Sequence, residues 1–300
     1  MSIYVEILIR GSMDELWEKT QDPKQHQRWD LRFSEIDYLP REASEAQKFL
    51  YTTRISGGLR IEGAGESTGA QDDASGRRSS ALKFWSDDPK SLITTGSGYW
   101  KYIPVPEGIR FLTWYDYRVR FGVLGRVIDR CCFHPLLGWA TAWSFDRLRL
   151  WIERGVPPEV SRTLALTYSV SRLAVAFVWL YHGLVPKLLF RNLDEVRMVR
   201  DGILGMSPRT AVTVAGWTEV CFGIVVLFAG NSCWPLWLTI LLMVVATLGV
   251  AVSSPEYLTA AFNPVTLNLS LAALAGIALL ASGYVPTASH CLRKPPEVTT

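Results

Sequence analysis

Hydrophobic positions follow two different rhythms along this chain, and the change falls near residue 160. Before it, apolar residues come in short runs, many of them alternating with polar ones. After it, they come in four blocks, at about 164–185, 210–229, 234–252 and 265–285. Alternation marks strands with one buried face, and blocks of roughly 20 apolar residues are long enough for a helix to cross a bilayer.

The first half reads in order as strand, short helix, several strands and a long helix. Ile3 to Arg10 is rich in β-branched residues and ends at Gly11. Ser12-Met13-Asp14-Glu15 is a capping box, and the helix it opens stops before Pro23. Strands are expected at 33–39, 47–55, 59–66, 79–85, 92–103 and 109–120. Gly57-Gly58 is a tight-hairpin signal, Pro104 to Gly108 marks another turn, and the polar stretch 68–78 is expected to be a loop. After Gly125 the period becomes helical through Val127, Ile128, Cys131 and Cys132, and continues after Pro135 through Leu136, Leu137, Ala140, Trp143, Leu148 and Trp151. Pro135 lacks a backbone donor, so a kink or restart is expected there. An antiparallel sheet with helices on one face is an α+β layer design.

The second half begins after the stiff linker Gly155-Val156-Pro157-Pro158, with 156–162 as its bounds. The expected domains are 1–155, a transmembrane bundle at 163–290 and a polar tail at 291–300. Only Gly230 to Cys233 separates the second and third blocks, so those helices form an antiparallel hairpin, with Trp234 and Trp237 at an aromatic belt. Between the first two blocks, Leu193, Val196, Val199 and Ile203 repeat at helical spacing against Asp194, Glu195, Arg197, Arg200 and Asp201, an amphipathic helix suited to the headgroup region or to capping the bundle.

Charge and chemistry narrow the functional classes. The net charge of +3 is small, and no basic stripe with interleaved aromatics appears, so no nucleic-acid partner is expected. The N-terminus lacks a basic stretch leading into an apolar core, so no cleavable signal is expected. Cys131, Cys132, Cys221, Cys233 and Cys291 form no CxxC pattern, and neither a metal site nor a disulfide framework is expected. Ionisable groups in membrane spans are costly and default to function. Arg172 and Glu219 fall near the middle of their blocks and are expected to pair; His182, Lys187, Asn263 and Asn268 add polar groups to the bundle interior. Such a pair either holds the bundle together or handles a ligand or proton.

The element order and the segment Gln25-His26-Gln27-Arg28-Trp29-Asp30 resemble the START-like (SRPBCC, polyketide cyclase-like) superfamily over residues 3–152. The resemblance implies a helix-grip fold, with a curved sheet around a long C-terminal helix and an apolar cavity between them. Trp85, Trp100, Trp114, Trp139 and Trp143 are then candidate cavity walls, or else ordinary core. His26, Trp29 and Asp30 are candidates for a polar mouth; otherwise Asp30 caps a turn and His26 is solvated.

Residues 165–286 resemble the DoxX-like family of small four-helix membrane proteins. The resemblance rests on Tyr181-His182-Gly183 with Pro186-Lys187, on Gly216-Trp217-Thr218-Glu219, and on Phe262-Asn263-Pro264-Val265-Thr266-Leu267-Asn268. Together the two resemblances imply a multi-pass protein of the bacterial inner membrane, and with no signal expected the N-terminal domain is expected in the cytoplasm. It would hold a lipophilic small molecule and exchange it with the lipid bilayer, with no cofactor. The alternatives are a membrane oxidoreductase using Cys221, Cys233 or a bound quinone, and a scaffold for membrane or oligomeric partners.

Overall fold

The computed structural model describes residues 2–42, 45–55, 57–199, 205–261 and 263–296. The chain divides into two compact units. Unit 1 is Met1–Ser161 together with Pro286–Thr300, and unit 2 is Arg162–Val285.

In unit 1, the alternating runs become β1 (Ile3–Ile9), β2 (Glu35–Tyr38), β3 (Lys48–Ile55), β4 (Leu59–Asp72), β5 (Arg78–Trp85), β6 (Ile93–Val105) and β7 (Gly108–Val119). They form one antiparallel sheet in the order β1-β7-β6-β5-β4-β3-β2. Gly57 and Gly58, with φ of +88° and +82°, turn the β3–β4 hairpin. Between β1 and β2 lie α1 (Met13–Gln21) and α2 (Pro23–Trp29). Ser12 caps α1 by accepting the Glu15 N–H at 3.1 Å. Asp22 caps α2 by accepting the Lys24 N–H at 2.8 Å, with Pro23 in the first turn.

One helix is added here and one expectation changes. The Gln25–Trp29 segment is helical, because Asp22-Pro23 is a cap followed by a proline at a position where no donor is needed. The expected loop at 68–78 is strand as far as Asp72 and resumes at Arg78. Polar side chains exposed on a strand do not prevent its backbone from pairing.

After β7 come α3 (Gly122–Ile128), a π-helical turn at Asp129–Phe133, and α4 (His134–Arg154). The restart expected at Pro135 takes the form of this wide turn, directly before the residue that cannot donate. Phe145 and Leu148 of α4 are fully buried with Val5, Ile9, Phe111 and Tyr102 of the sheet. The long helix therefore packs closely on the β1–β7–β6 side.

The C-terminal segment, expected to be a free polar tail, belongs to unit 1. Glu6 and Leu292 exchange two backbone hydrogen bonds of 2.9 Å along the open edge of β1. The Cys291 thiol is buried against α4 and donates to the Ala142 carbonyl at 3.3 Å. Burial pushes this thiol up to about 12, so it behaves as a packing group rather than a nucleophile.

Unit 2 contains α5 (Pro158–His182), whose first turn lies in unit 1 and which continues as a π-helical stretch at Gly183–Leu189. It also contains the short α6 (Leu193–Met198), α7 (Pro208–Phe228), α8 (Trp234–Ser253) and α9 (Pro264–Ser282). Among the described residues, four helical segments are long and apolar enough to cross a membrane: Pro158–Leu189, Pro208–Phe228, Trp234–Ser253 and Pro264–Ser282. The amphipathic repeat is helical at Leu193–Met198; its expected continuation through Arg200, Asp201 and Ile203 lies outside the described residues.

Candidate functional site

While α4 covers one side of the sheet closely, the β2–β5 side stands away from it and leaves a cavity of about 390 Å³. Its floor is built by a repeated device. Phe49 lies opposite Gly65, Tyr51 opposite Gly63, Phe84 opposite Gly96 and Tyr115 opposite Gly98. All four aromatics line the cavity. A Cβ at any of these glycines would come within 2.4 Å of its partner's side chain. The Phe49, Tyr51 and Phe84 rings therefore lie across the bare backbone of the neighbouring strand, as glycine in a strand permits, and Tyr115 packs on Gly98 through its Cβ. Ile36, Ile61, Leu82, Ile93, Phe133 and Leu137 complete much of the apolar wall. Burial raises the Tyr51 hydroxyl to about 12, so it stays protonated.

One side of this apolar space carries a polar cluster. Asp30 is fully buried, and its carboxylate accepts from Arg32 Nε at 2.9 Å, from Arg32 Nη2 at 2.6 Å and from the Arg32 backbone N–H at 3.0 Å. His26 Nε2 is 3.0 Å from the same carboxylate. Burial alone would raise the Asp30 carboxyl, but the charge of Arg32 and the hydrogen bonds from Arg32 and His26 outweigh it and hold it well below the usual range. The His26 ring sits 5.0 Å from Trp29, 5.3 Å from Phe33 and 5.0 Å from Trp100. Arg32 and His26 both line the cavity, with Asp30 behind them.

Of the expected cavity residues, Trp100 and His26 are on the wall, and Trp29 is buried directly behind them, 6.1 Å from Trp100. Trp85, Trp114, Trp139 and Trp143 are not lining residues, and the reason is periodicity. Phe84 faces the cavity, so its neighbour Trp85 points to the other face of the strand. Thr113 and Tyr115 face it, so Trp114 points away and stacks on Tyr99 at 5.9 Å. On α4, Leu137 faces the cavity and Thr141 and Phe145 are buried; Trp139 and Trp143 lie on the opposite side of the helix and stack on each other at 6.2 Å. The residues missed were Arg32 and the Gly–aromatic pairs. The alternation Gly63-x-Gly65 and Gly96-x-Gly98 inside expected strands was their signal.

In unit 2 the expected Arg172–Glu219 pair does not form. Arg172 donates from Nε to the Val226 carbonyl at 2.6 Å and from Nη1 to the Tyr168 hydroxyl and the Gly230 carbonyl. It thus caps the C-terminal end of α7, where carbonyls lack helical partners. Glu219 instead meets Lys187, with Oε2 and Nζ 3.0 Å apart, and Lys187 also reaches Glu195 at 3.4 Å. The antiparallel register explains this. Gly183 packs on Gly216 and Leu180 on Gly223 with almost no space for a Cβ, so Arg172 and Glu219 are about two helical turns out of step. The His182-Gly183 and Pro186-Lys187 segments therefore meet the Gly216–Glu219 segment. Asn268 is buried and donates to Thr247 Oγ1 at 3.1 Å, whereas Asn263 caps α9 by accepting the Thr266 N–H at 3.0 Å. The half-buried His182 ring lies 6.3 Å from Tyr181. All five cysteines are free thiols; Cys131, Cys132 and Cys221 are exposed.

Unit 1, a long helix against an antiparallel sheet with a cavity between them, and unit 2, with four apolar spans, define a multi-span membrane protein with a helix-grip domain. Residues 176–276 match the DoxX-like family. Over 234 residues the chain is 44% identical to the uncharacterized membrane protein YndG of Bacillus subtilis (strain 168), spanning 77% of this chain and 84% of that protein, and it belongs to the same family as YndG. Unit 1 is similar in fold to solved structures of low identity. One is a STAR-related lipid transfer protein from Xanthomonas axonopodis (12% identical, 51% of this chain and 85% of that one, TM-score 0.40). Another is human StAR-related lipid transfer protein 5 (12%, 50% and 74%, TM-score 0.39). A third is the di-domain ARO/CYC StfQ from the steffimycin biosynthetic pathway (14%, 51% and 51%, TM-score 0.39).

Proposed function

We propose that this protein holds a lipophilic small molecule in the unit 1 cavity and exchanges it with the bilayer in which unit 2 is embedded. The observation that carries the reading is the floor of three aromatic rings laid over glycines, with Tyr115 beside a fourth, which creates a mostly apolar space. Ligand sites of about 300–1,000 Å³ are usual, so a volume near the low end suits one chain or a few rings rather than a two-chain lipid. The test compares the small molecules that copurify with the wild-type chain and with Leu82→Trp, which takes up part of the cavity; an enriched lipophile is expected only in the former.

The surface of α3 supports exchange. Val123, Leu124, Val127 and Ile128 are all exposed, with Leu124 at 66%, and Arg126 and Arg130 are exposed beside them. Phe133 and Leu137, a few residues further along the same helical run, line the cavity. An apolar helix bordered by arginines suits an anionic lipid surface. Leu124→Glu is expected to slow transfer of a bound fluorescent lipophile to vesicles containing anionic lipid by about tenfold, with equilibrium binding unchanged, as read by stopped-flow dequenching. An unchanged rate would remove α3 from the exchange step.

For location, we place unit 1 on the cytoplasmic side of a bacterial inner membrane. Unit 1 is assembled from segments on both flanks of unit 2, which calls for an even number of crossings. Arg149, Arg154, Arg293 and Lys294 on those flanks are matched by Lys187, Arg191, Arg197, Arg200 and Arg209 beyond the first span, so the placement rests instead on the difficulty of moving a folded domain of about 150 residues across the membrane.

A further inference from the structure

The charged residues on the cavity wall are all of one sign. Arg32 and Lys90 line it, with the His26 ring beside Arg32, and no aspartate or glutamate is among the described residues that line it. The nearest carboxylate, Asp30, sits behind Arg32 with no side-chain exposure. Its oxygens are already engaged by Arg32 Nε, Arg32 Nη2, the Arg32 backbone N–H and His26. Asp30 therefore fixes the guanidinium by two of its nitrogens and leaves Nη1 as the one not directed at a carboxylate. The plane is also held over the Phe33 and Tyr115 rings, with Arg32 Cζ 5.6 Å and 5.4 Å from their centroids. The backbone is anchored too, since the Arg32 carbonyl accepts from Thr53 Oγ1 at 2.6 Å. This is a pre-positioned charged donor, beside the Tyr115 hydroxyl, on a wall that is mostly apolar. Lys90 stands apart, more than half exposed and paired with Asp88 at 3.5 Å.

We propose that the ligand is an amphiphile with one carboxylate head, and that Arg32 with His26 binds that head while the Gly–aromatic floor takes its apolar body. The inference rests on the cavity reading above and adds the ligand class. A neutral head would leave the Arg32 donor facing an apolar group inside a low-dielectric space. A carboxylate meets it with a charge-assisted hydrogen bond, roughly twice as strong as a neutral one. An ammonium head at this point would meet the positive charge of Arg32 and be repelled.

The test uses the full chain in amphipol with two diazirine-bearing photoprobes of the same sixteen-carbon chain, one a fatty acid and one the matching fatty alcohol. Peptides from β3, β5 and β6 are read by mass spectrometry. The expected result is that the acid labels these peptides at a concentration at least tenfold lower than the alcohol, and that unlabelled palmitate competes. Arg32→Met alone would strand a buried carboxylate and could unfold unit 1, so the variant is the pair Asp30→Asn with Arg32→Met, which removes both charges together. In that variant the acid and the alcohol are expected to label equally, and the alcohol as well as it labels the wild type. Equal labelling by the two probes in the wild type would overturn the carboxylate inference and leave the cavity reading standing. Labelling by neither probe would overturn both. Preference for the acid that persists in the double variant would show that Arg32 is not the anchor.

Discussion

Asp30→Asn is expected to destabilise unit 1 by about 3–5 kcal/mol, because removing one partner of a buried ion pair leaves the other charge uncompensated. The stranded partner is Arg32, whose side chain is only 13% exposed and which loses the opposing charge and one of its two acceptor oxygens. Hydrogen exchange of the full chain would report this as lost protection in α2 and the neighbouring β7, with unit 2 unaffected. Adding Arg32→Met to Asp30→Asn is expected to restore most of the stability, which separates charge stranding from simple loss of packing. The same pair sets an acid limit. Because the Asp30 carboxyl titrates well below its usual range in the folded state, its contribution is fully present above the unfolded value of about 3.9. It is lost as the pH falls from there towards the folded value. Wild-type unit 1 should therefore lose stability more steeply than Asp30→Asn between about pH 4 and pH 2. Parallel acid profiles for the two proteins would contradict the assignment.

Ending the chain after Val285 is expected to weaken unit 1 by about 4 kcal/mol, even though the four spans stay intact. The removed segment supplies both backbone hydrogen bonds at the open edge of β1 and the buried Cys291. It also completes the shell of Asp146, which has no exposed side-chain surface. That carboxylate accepts from Arg149 Nε at 2.7 Å and from the Thr287 N–H at 2.8 Å, and lies 3.0 Å from His290 Nδ1. Without residues 286–296 it would keep Arg149 and lose the other two. Faster proteolysis and lost exchange protection in β1 and α4 would confirm the role of the segment. Unchanged protection would show that the returning segment only rests on the surface.

Much of this architecture was legible in the hydrophobic pattern. Strand runs and apolar blocks mark their own boundaries, because burial of one face or of a whole helix leaves a period in the sequence. The strand at 68–72 was not legible, since its pairing uses backbone atoms and its side chains are polar. The tryptophans misled for a related reason. Size alone says that a residue will seek burial, but alternation decides which face it takes, and Trp85 and Trp114 fall on the face away from the cavity. Arg32 was overlooked because its importance comes from Asp30, two residues away, and from the enclosing sheet, neither of which a local pattern reports. In the membrane unit, counting from the ends of each block placed Arg172 and Glu219 at similar depth. The close approach of Gly183 to Gly216 sets a register that gives Glu219 to Lys187 instead.

The measurement that bears most directly on the central claim is mass spectrometry of small molecules extracted from the purified full chain, beside Leu82→Trp prepared in the same way. Leu82 lines the cavity from β5, and an indole there takes up part of its space. The account predicts one lipophile near stoichiometry with the wild type, strongly depleted in the variant, while bulk membrane lipids bound to unit 2 are equal in both. Equal recovery of every species from two equally folded proteins would contradict a ligand in the cavity.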